Sequence, residues 1–199
     1  IAESGGESFY RGELAEKIET FAKQCGGALR VTDLATHRAE WVEPIKQSFR
    51  GYTLHEIPPN GQGLAALIAL GILDHFDLAG MGLDSPDYYH VGLEAMKLAF
   101  ADLHKYVADA PAMLPVSAAH LLDSAYLAER AKLIDMKRAA NPGPGTPKTG
   151  GTVYLASADA AGTMVSYIQS NYHGFGSGVV VPGTGISLHN RGEGFSLVS

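Results

Sequence analysis

Thr152 and Ser170 are the two hydroxyls whose spacing points to chemistry. An apolar alternating run from Thr152 to Asp159 is followed by Ala160-Ala161-Gly162 and a second run from Thr163 to Asn171. Two such runs about a short glycine-ending loop predict a β-hairpin. With Gly162 in the left-handed position, Asp159 pairs with Thr163 and Thr152 falls opposite Ser170. A threonine here has one notable use. If the chain is cut before Thr152, the new α-amino group can serve as base for the residue's own hydroxyl, otherwise a weak nucleophile at neutral pH. Ser170 would then hold or polarise Thr152 Oγ. The same threonine can also simply begin a strand, as threonines do.

Further candidates lie downstream. Thr152 to Ser199 carries three charges, Asp159, Arg191 and Glu193. The last two sit in a glycine-rich turn, Asn190-Arg-Gly-Glu-Gly194, and either face solvent or line a pocket. Tyr172 and His173 follow Ser170 closely enough to form a wall of the same pocket. Eight histidines form no helical pair and no Cys/His cluster of ligand spacing, so no metal is called for. The Gly176-Ser-Gly178 and Gly183-Thr-Gly185 turns lack the lysine and following helix of a phosphate loop. Asn60-Gly61-Gln62-Gly63 sets backbone N–H groups before a helix, as an anion site or as a plain turn.

Positioning these residues requires a connected helical and strand framework. A stripe of Leu14, Ile18, Phe21, Ala22 and Cys25 predicts a helix over 12–25, with Cys25 in the core. A short turn or helix near Thr32 to His37 and strands over 44–49 and 52–57 follow. Leu64 to Leu73 is apolar nearly all round, a buried helix. Ser85-Pro86 starts a helix to about Tyr106, whose inward side is read as Tyr89, Ala95, Met96, Ala99, Phe100, Leu103 and Tyr106. Ser124 starts another, with Tyr126, Leu127, Ala131 and Ile134 inward. Asn141 to Gly151 holds three prolines and four glycines in eleven residues, an exposed, pliable connection. The strands after it are apolar enough to expect cover on both faces, as part of a larger sheet system.

Residues 1–140 thus read as mainly helical, 141–151 as linker and 152–199 as strand-rich, an α+β or layered fold. A net charge of −6 without a basic stripe argues against nucleic acid. No apolar run reaches the length of a membrane span.

Taken together, Thr152-Val-Tyr154, the hairpin, Gly174-Phe-Gly-Ser-Gly-Val-Val-Val-Pro-Gly-Thr-Gly185 and the Asn190 turn resemble the start of the small subunit of γ-glutamyltranspeptidases. Upstream, Phe9-Tyr-Arg-Gly-Glu13, Gly51-Tyr52, Pro58-Pro59 and Leu98-Ala-Phe-Ala-Asp102 resemble the end of that family's large subunit. The order and spacing match over essentially the whole chain. The resemblance implies an αββα sandwich of the N-terminal nucleophile hydrolase type, present in part, and a precursor that cleaves itself between Gly151 and Thr152. It makes Thr152 the nucleophile, Ser170 the second hydroxyl of the site, and a small-molecule amide the substrate. Water or an amino acceptor resolves the acyl-enzyme, the two subunits of the precursor stay together, and no cofactor is needed.

Departures from the family pattern bear on substrate. Val153 follows the nucleophile where the family has threonine, and Tyr172 replaces an asparagine that contacts the substrate's amino-acid end. Arg191 replaces a glutamine. Gly194 falls where the family's aspartate holds the α-amino group, with Glu193 beside it as a substitute. A site that gains a guanidinium and loses an anion favours an acyl group with a carboxylate and no ammonium, as in related cephalosporin acylases. The family's substrate-binding arginine is expected before Ile1, and its paired serines and oxyanion-hole glycines after Ser199, so the chain reads as a central fragment crossing the cleavage site. The reading opposed to an enzyme is a non-catalytic family relative that binds a partner through sheet edges.

Overall fold

The computed structural model describes residues 1–113, 115–142 and 152–194. Its helices are α1 (Glu7–Tyr10), α2 (Glu13–Gln24), α3 (Val31–Thr36), α4 (Leu64–Leu73), α5 (Leu78–Met81), α6 (Pro86–Tyr106), α7 (Ala118–Leu121) and α8 (Ser124–Ala131). Its strands are β1 (Ile45–Phe49), β2 (Tyr52–Glu56), β3 (Thr152–Ala158), β4 (Met164–Ser170), β5 (Val180–Val181) and β6 (Ile186–Ser187). They pair as three antiparallel two-stranded sheets, β1–β2, β3–β4 and β5–β6. Two compact units result: Trp41–Thr146, and Ile1–Glu40 together with Pro147–Ser199.

The Trp41–Thr146 unit is organised around α4. Leu64, Ala65, Leu67, Ile68, Ala69, Gly71 and Ile72 are all buried, as an all-round apolar helix requires. Each large aliphatic side chain hidden in this way contributes about 1.5–3 kcal/mol. The helix packs against α6 and α8. Gly71 makes the second contact possible, because a Cβ there would overlap Leu127 Cδ1 of α8.

Helix α6 begins as expected, with Ser85 Oγ accepting from Tyr88 N–H at 3.1 Å and proline at the first turn. Its inward face is the expected one except at Tyr89, with Met96, Phe100 and Tyr106 partly buried against the core. Val91, Glu94, Ala95, Leu98, Ala99, Asp102 and Leu103 are buried, whereas Tyr89 is exposed and donates its hydroxyl to Asp84. Two carboxylates also lie on the inward side, at positions that the apolar count left out. Both have partners. Asp102 pairs with Arg130 of α8 at 2.9 Å, and Arg130 also donates to Leu98 O at 3.0 Å. Burial raises the Asp102 carboxyl above its ordinary value even so, the pull of Arg130 being weaker than the desolvation. Burial and the charge of Asp102 push the Tyr126 phenol up to about 12. Glu94 accepts from Lys97 at 2.6 Å and from Ala140 N–H at 3.0 Å, while Lys97 also donates to Ala140 O.

In the other unit, Ala15 and Ile18 of α2 and Val181 of β5 are buried, and α2 packs on β5. Cys25 does not join them. It caps α2, its N–H donating to Phe21 O at 3.1 Å, and its side chain is exposed. The apolar stripe ends one turn earlier because Gly26, at φ 71, turns the chain away.

The β3–β4 hairpin forms in the expected register, from Thr152↔Ser170 to Ala158↔Met164. Asp159 N–H donates to Thr163 O at 3.0 Å, and Gly162 takes φ 87. The Asp159 carboxylate closes the loop by accepting from the Ala161 and Thr163 N–H groups, each at 2.9 Å. The cover expected over these strands is not seen: Leu155, Val165, Tyr167 and Ile168 are each at least half exposed. Of the expected connection 141–151, residues 143–151 lie outside the described residues.

Two outcomes are expected. Gly71→Ala overpacks the α4–α8 contact and destabilises by about 1–3 kcal/mol in urea denaturation, and Leu127→Ala in the same chain relieves part of that cost. The Thr163 N–H, with help from Ala161, holds Asp159 below the ordinary aspartate value of 3.8. The unfolded chain thus binds the proton first, and the loop's stabilisation is present above pH 3.8 and lost as pH falls through the depressed value. The Ala161 and Thr163 amide resonances should titrate together below 3.8, and Asp159→Asn should abolish the titration.

Candidate active site

The end of β4 and the return of the chain after β6 are stitched together by backbone and side-chain hydrogen bonds. Ser177 N–H donates to Leu188 O at 2.9 Å, Leu188 N–H to Val179 O at 2.9 Å, and Asn190 N–H to Asn171 O at 3.1 Å. Gly176 permits this approach. It takes φ 74, and a Cβ on it would stand 2.6 Å from Leu188 O and 3.1 Å from His189 Cα. The turn Arg191–Gly194 is thereby set against the residues that follow Ser170.

Ser170, half-buried at the end of β4, accepts from Tyr172 N–H on its Oγ at 2.9 Å. That short-range bond caps a tight turn in which Tyr172 takes φ 79, a left-handed value uncommon for a bulky residue. The turn throws the Tyr172 ring back over the Arg191 guanidinium, whose Cζ lies 5.3 Å from the ring centroid. Arg191 Nη2 donates to Ser170 O at 3.2 Å. The His173 ring lies 4.1 Å from that of Tyr172.

Asn190 bridges the two segments. Its Oδ1 accepts from His173 N–H at 3.0 Å, and its Nδ2 donates to Glu193 Oε2 at 3.2 Å. The same Glu193 oxygen lies 3.2 Å from His173 Nδ1. One guanidinium and one carboxylate, two residues apart, are thus each tied to the segment just after Ser170.

Of the candidates read from the sequence, the structure brings Ser170, Tyr172, Arg191 and Glu193 into one cluster, with Thr152 the strand partner of Ser170. Gly151 lies outside the described residues. What the sequence did not disclose is the bridging role of Asn190 and the seating of Arg191 on Tyr172. The available signal was an asparagine opening a glycine-rich turn. Among the described residues, no three His, Cys, Asp or Glu side chains are grouped to hold a metal ion, and no helix is long and apolar enough to cross a membrane.

Asn190→Ala removes both side-chain bonds and leaves the half-buried His173 N–H without its acceptor. The expected loss is about 1–3 kcal/mol in chemical denaturation, with faster hydrogen exchange at His173.

The gamma-glutamyltranspeptidase family model matches residues 1–199. The glutathione hydrolase-like YwrD proenzyme of Bacillus subtilis is 40% identical over 197 residues, an alignment covering 99% of this chain and 37% of that protein. The acylase ACY 1 proenzyme of a Pseudomonas species is 37% identical, over 96% of this chain and 34% of its own length. Among solved structures, cephalosporin acylase from Bacillus halodurans aligns with a TM-score of 0.87 at 56% identity, over 100% of this chain and 35% of that one. The chain spans about a third of the length of these relatives.

Proposed function

The chain belongs to the gamma-glutamyltranspeptidase family, and from that membership we propose that it carries the processing site and nucleophile of an amide hydrolase or acyltransferase. Its helices and antiparallel sheets are part of the α+β fold of N-terminal nucleophile hydrolases. Its relatives are hydrolases and acylases, several of them named as proenzymes. The observation that carries the proposal is the pairing of Thr152 with Ser170 at the open end of the hairpin, directly after Gly150-Gly151.

Processing comes first in this reading. Thr152 Oγ attacks the Gly151 carbonyl carbon, the Gly151–Thr152 C–N bond breaks, and the hydroxyl proton passes to the departing nitrogen. Water then hydrolyses the resulting ester, giving a Gly151 carboxylate and a free Thr152 amine. Glycine at 151 puts no side chain in the path of attack.

In turnover, the freed amine takes the Thr152 hydroxyl proton as Oγ attacks a substrate amide carbonyl. The amine portion of the substrate leaves with that proton, and water or an amino acceptor resolves the acyl-enzyme. Ser170 supports the nucleophile, since a hydroxyl can accept one hydrogen bond and donate another. Arg191 pairs with a carboxylate on the acyl group through its planar fork, and Glu193 and Tyr172 shape the same end of the pocket. The substrate class is γ-glutamyl amides such as glutathione or glutaryl-like amides. Arg191 inclines the reading toward the glutaryl, acylase-like end.

The test is intact mass after purification, wild type beside Thr152→Ala. Wild type should separate into two pieces, the second beginning at Thr152, while the variant stays whole. A folded wild-type protein that also stays whole would mark the chain as an arrested fragment or as a non-catalytic binding module. In the processed enzyme, kcat/KM should be higher for a glutaryl anilide than for the γ-glutamyl anilide. A strong γ-glutamyl preference would remove Arg191 from its assigned part.

A further inference from the structure

We propose that Tyr172 is the positioning residue that presents Arg191 to a carboxylate on the acyl group, and that the lack of a side chain at Gly194 is what lets Tyr172 do so. The inference rests on the part given to Arg191 above. It deepens that part by naming what holds the guanidinium.

Arginine carries a long stem that samples many rotamers, and Arg191 is exposed. Two contacts limit it. Nη2 donates to Ser170 O at 3.2 Å, and the guanidinium carbon sits 5.3 Å from the centre of the Tyr172 ring. The backbone bond engages one of the five N–H donors of the guanidinium, and the ring face orients its plane. The ring is itself constrained by the left-handed φ of 79 at Tyr172 and the bond from its N–H to Ser170 Oγ. The chain of support therefore runs from the end of β4, through Tyr172, to Arg191.

Gly194 closes the argument. A Cβ at that position would lie 3.3 Å from Tyr172 Oη and 3.8 Å from its Cζ. The first distance is tighter than a methyl group normally tolerates and the second is ordinary contact. Gly194 does not take a left-handed φ, so alanine there meets the phenol hydroxyl and no backbone strain. Position 194 and the hydroxyl of Tyr172 compete for one small volume. A side chain at 194 pushes the phenol by at least a few tenths of an ångström and so disturbs the seat of Arg191.

The experiment uses the full-length, processed enzyme. It measures kcat and KM for a glutaryl anilide and for the pentanoyl anilide, which has the same chain length and no carboxylate. Tyr172→Leu should raise KM for the glutaryl substrate about tenfold, the scale of a charge-assisted contact, and KM for the pentanoyl substrate by much less. Tyr172→Phe keeps the ring face and should raise the glutaryl KM less than Tyr172→Leu does. Gly194→Ala should raise the glutaryl KM by about threefold in the wild-type background and leave it unchanged beside Tyr172→Phe, a coupling that a double-mutant cycle reads directly. Equal changes for both substrates in Tyr172→Leu, or a Gly194→Ala effect indifferent to the hydroxyl, would overturn the inference. Arg191→Ala separates the two levels. If it leaves the glutaryl KM unchanged, the part given to Arg191 fails; if it raises KM and Tyr172→Leu does not, only the present inference fails.

Discussion

Backbone pairing between β3 and β4 is the constraint on which the candidate site depends. Side chains alternate along a strand with a period of two, so a slip of one residue would set Thr152 opposite Gln169 or Asn171 and turn every side chain of one strand to the other face. The register is held from the far end of the hairpin. There Asp159 accepts from two loop amides, and Gly162 adopts the left-handed conformation that a three-residue loop needs. Seven paired positions separate that loop from the open end, and each ladder bond carries the register one step further. A polar loop with no chemistry of its own thus decides which residue stands opposite Thr152.

A second constraint is how charge reaches this end of the hairpin. The residues following Ser170 have no charged side chain before Arg191, so the ionic groups must be brought back by the chain. Gly176 allows the returning segment to come within contact of Leu188 and His189, and Asn190 then ties it to Asn171 and His173. Asparagine suits this task because its amide offers an acceptor and a donor in one plane, here used for His173 N–H and Glu193. Aspartate would keep the acceptor but set a second anion against Glu193.

Most elements were legible in the sequence because each carried a local signal. Ser85-Pro86 announced α6, the continuous apolar run announced α4 as a buried helix, and Gly162 with its flanking alternation announced the hairpin and its register. What stayed hidden depends on contacts between segments far apart in the chain. The inward face of α6 was legible except at Tyr89, which is exposed, and at its polar members, which are counted as outward. Glu94 and Asp102 are nevertheless inside, where Lys97 and Ala140 bond to the first and Arg130 to the second. Cys25 continued the apolar stripe on paper, but the helix ends there and its side chain is exposed. At the candidate site the residue types were visible. The stacking of Arg191 on Tyr172 was not, since no periodicity encodes a contact between two loops.

That stacking bears on why related chains divide between glutathione hydrolases and acylases while keeping one fold. Discriminating acyl groups by charge requires a cation or an anion at the binding site, and on the proposed reading both lie on a single short turn, at Arg191 and Glu193. A turn tolerates exchange of its side chains far better than a core helix such as α4, where even a methyl group at Gly71 meets Leu127. Such exchange is still not free. Tyr172 stands beside position 194, so a side chain added there must be accommodated by the segment after Ser170. On the proposed reading, specificity belongs to a packed pair of loops more than to any one charged residue.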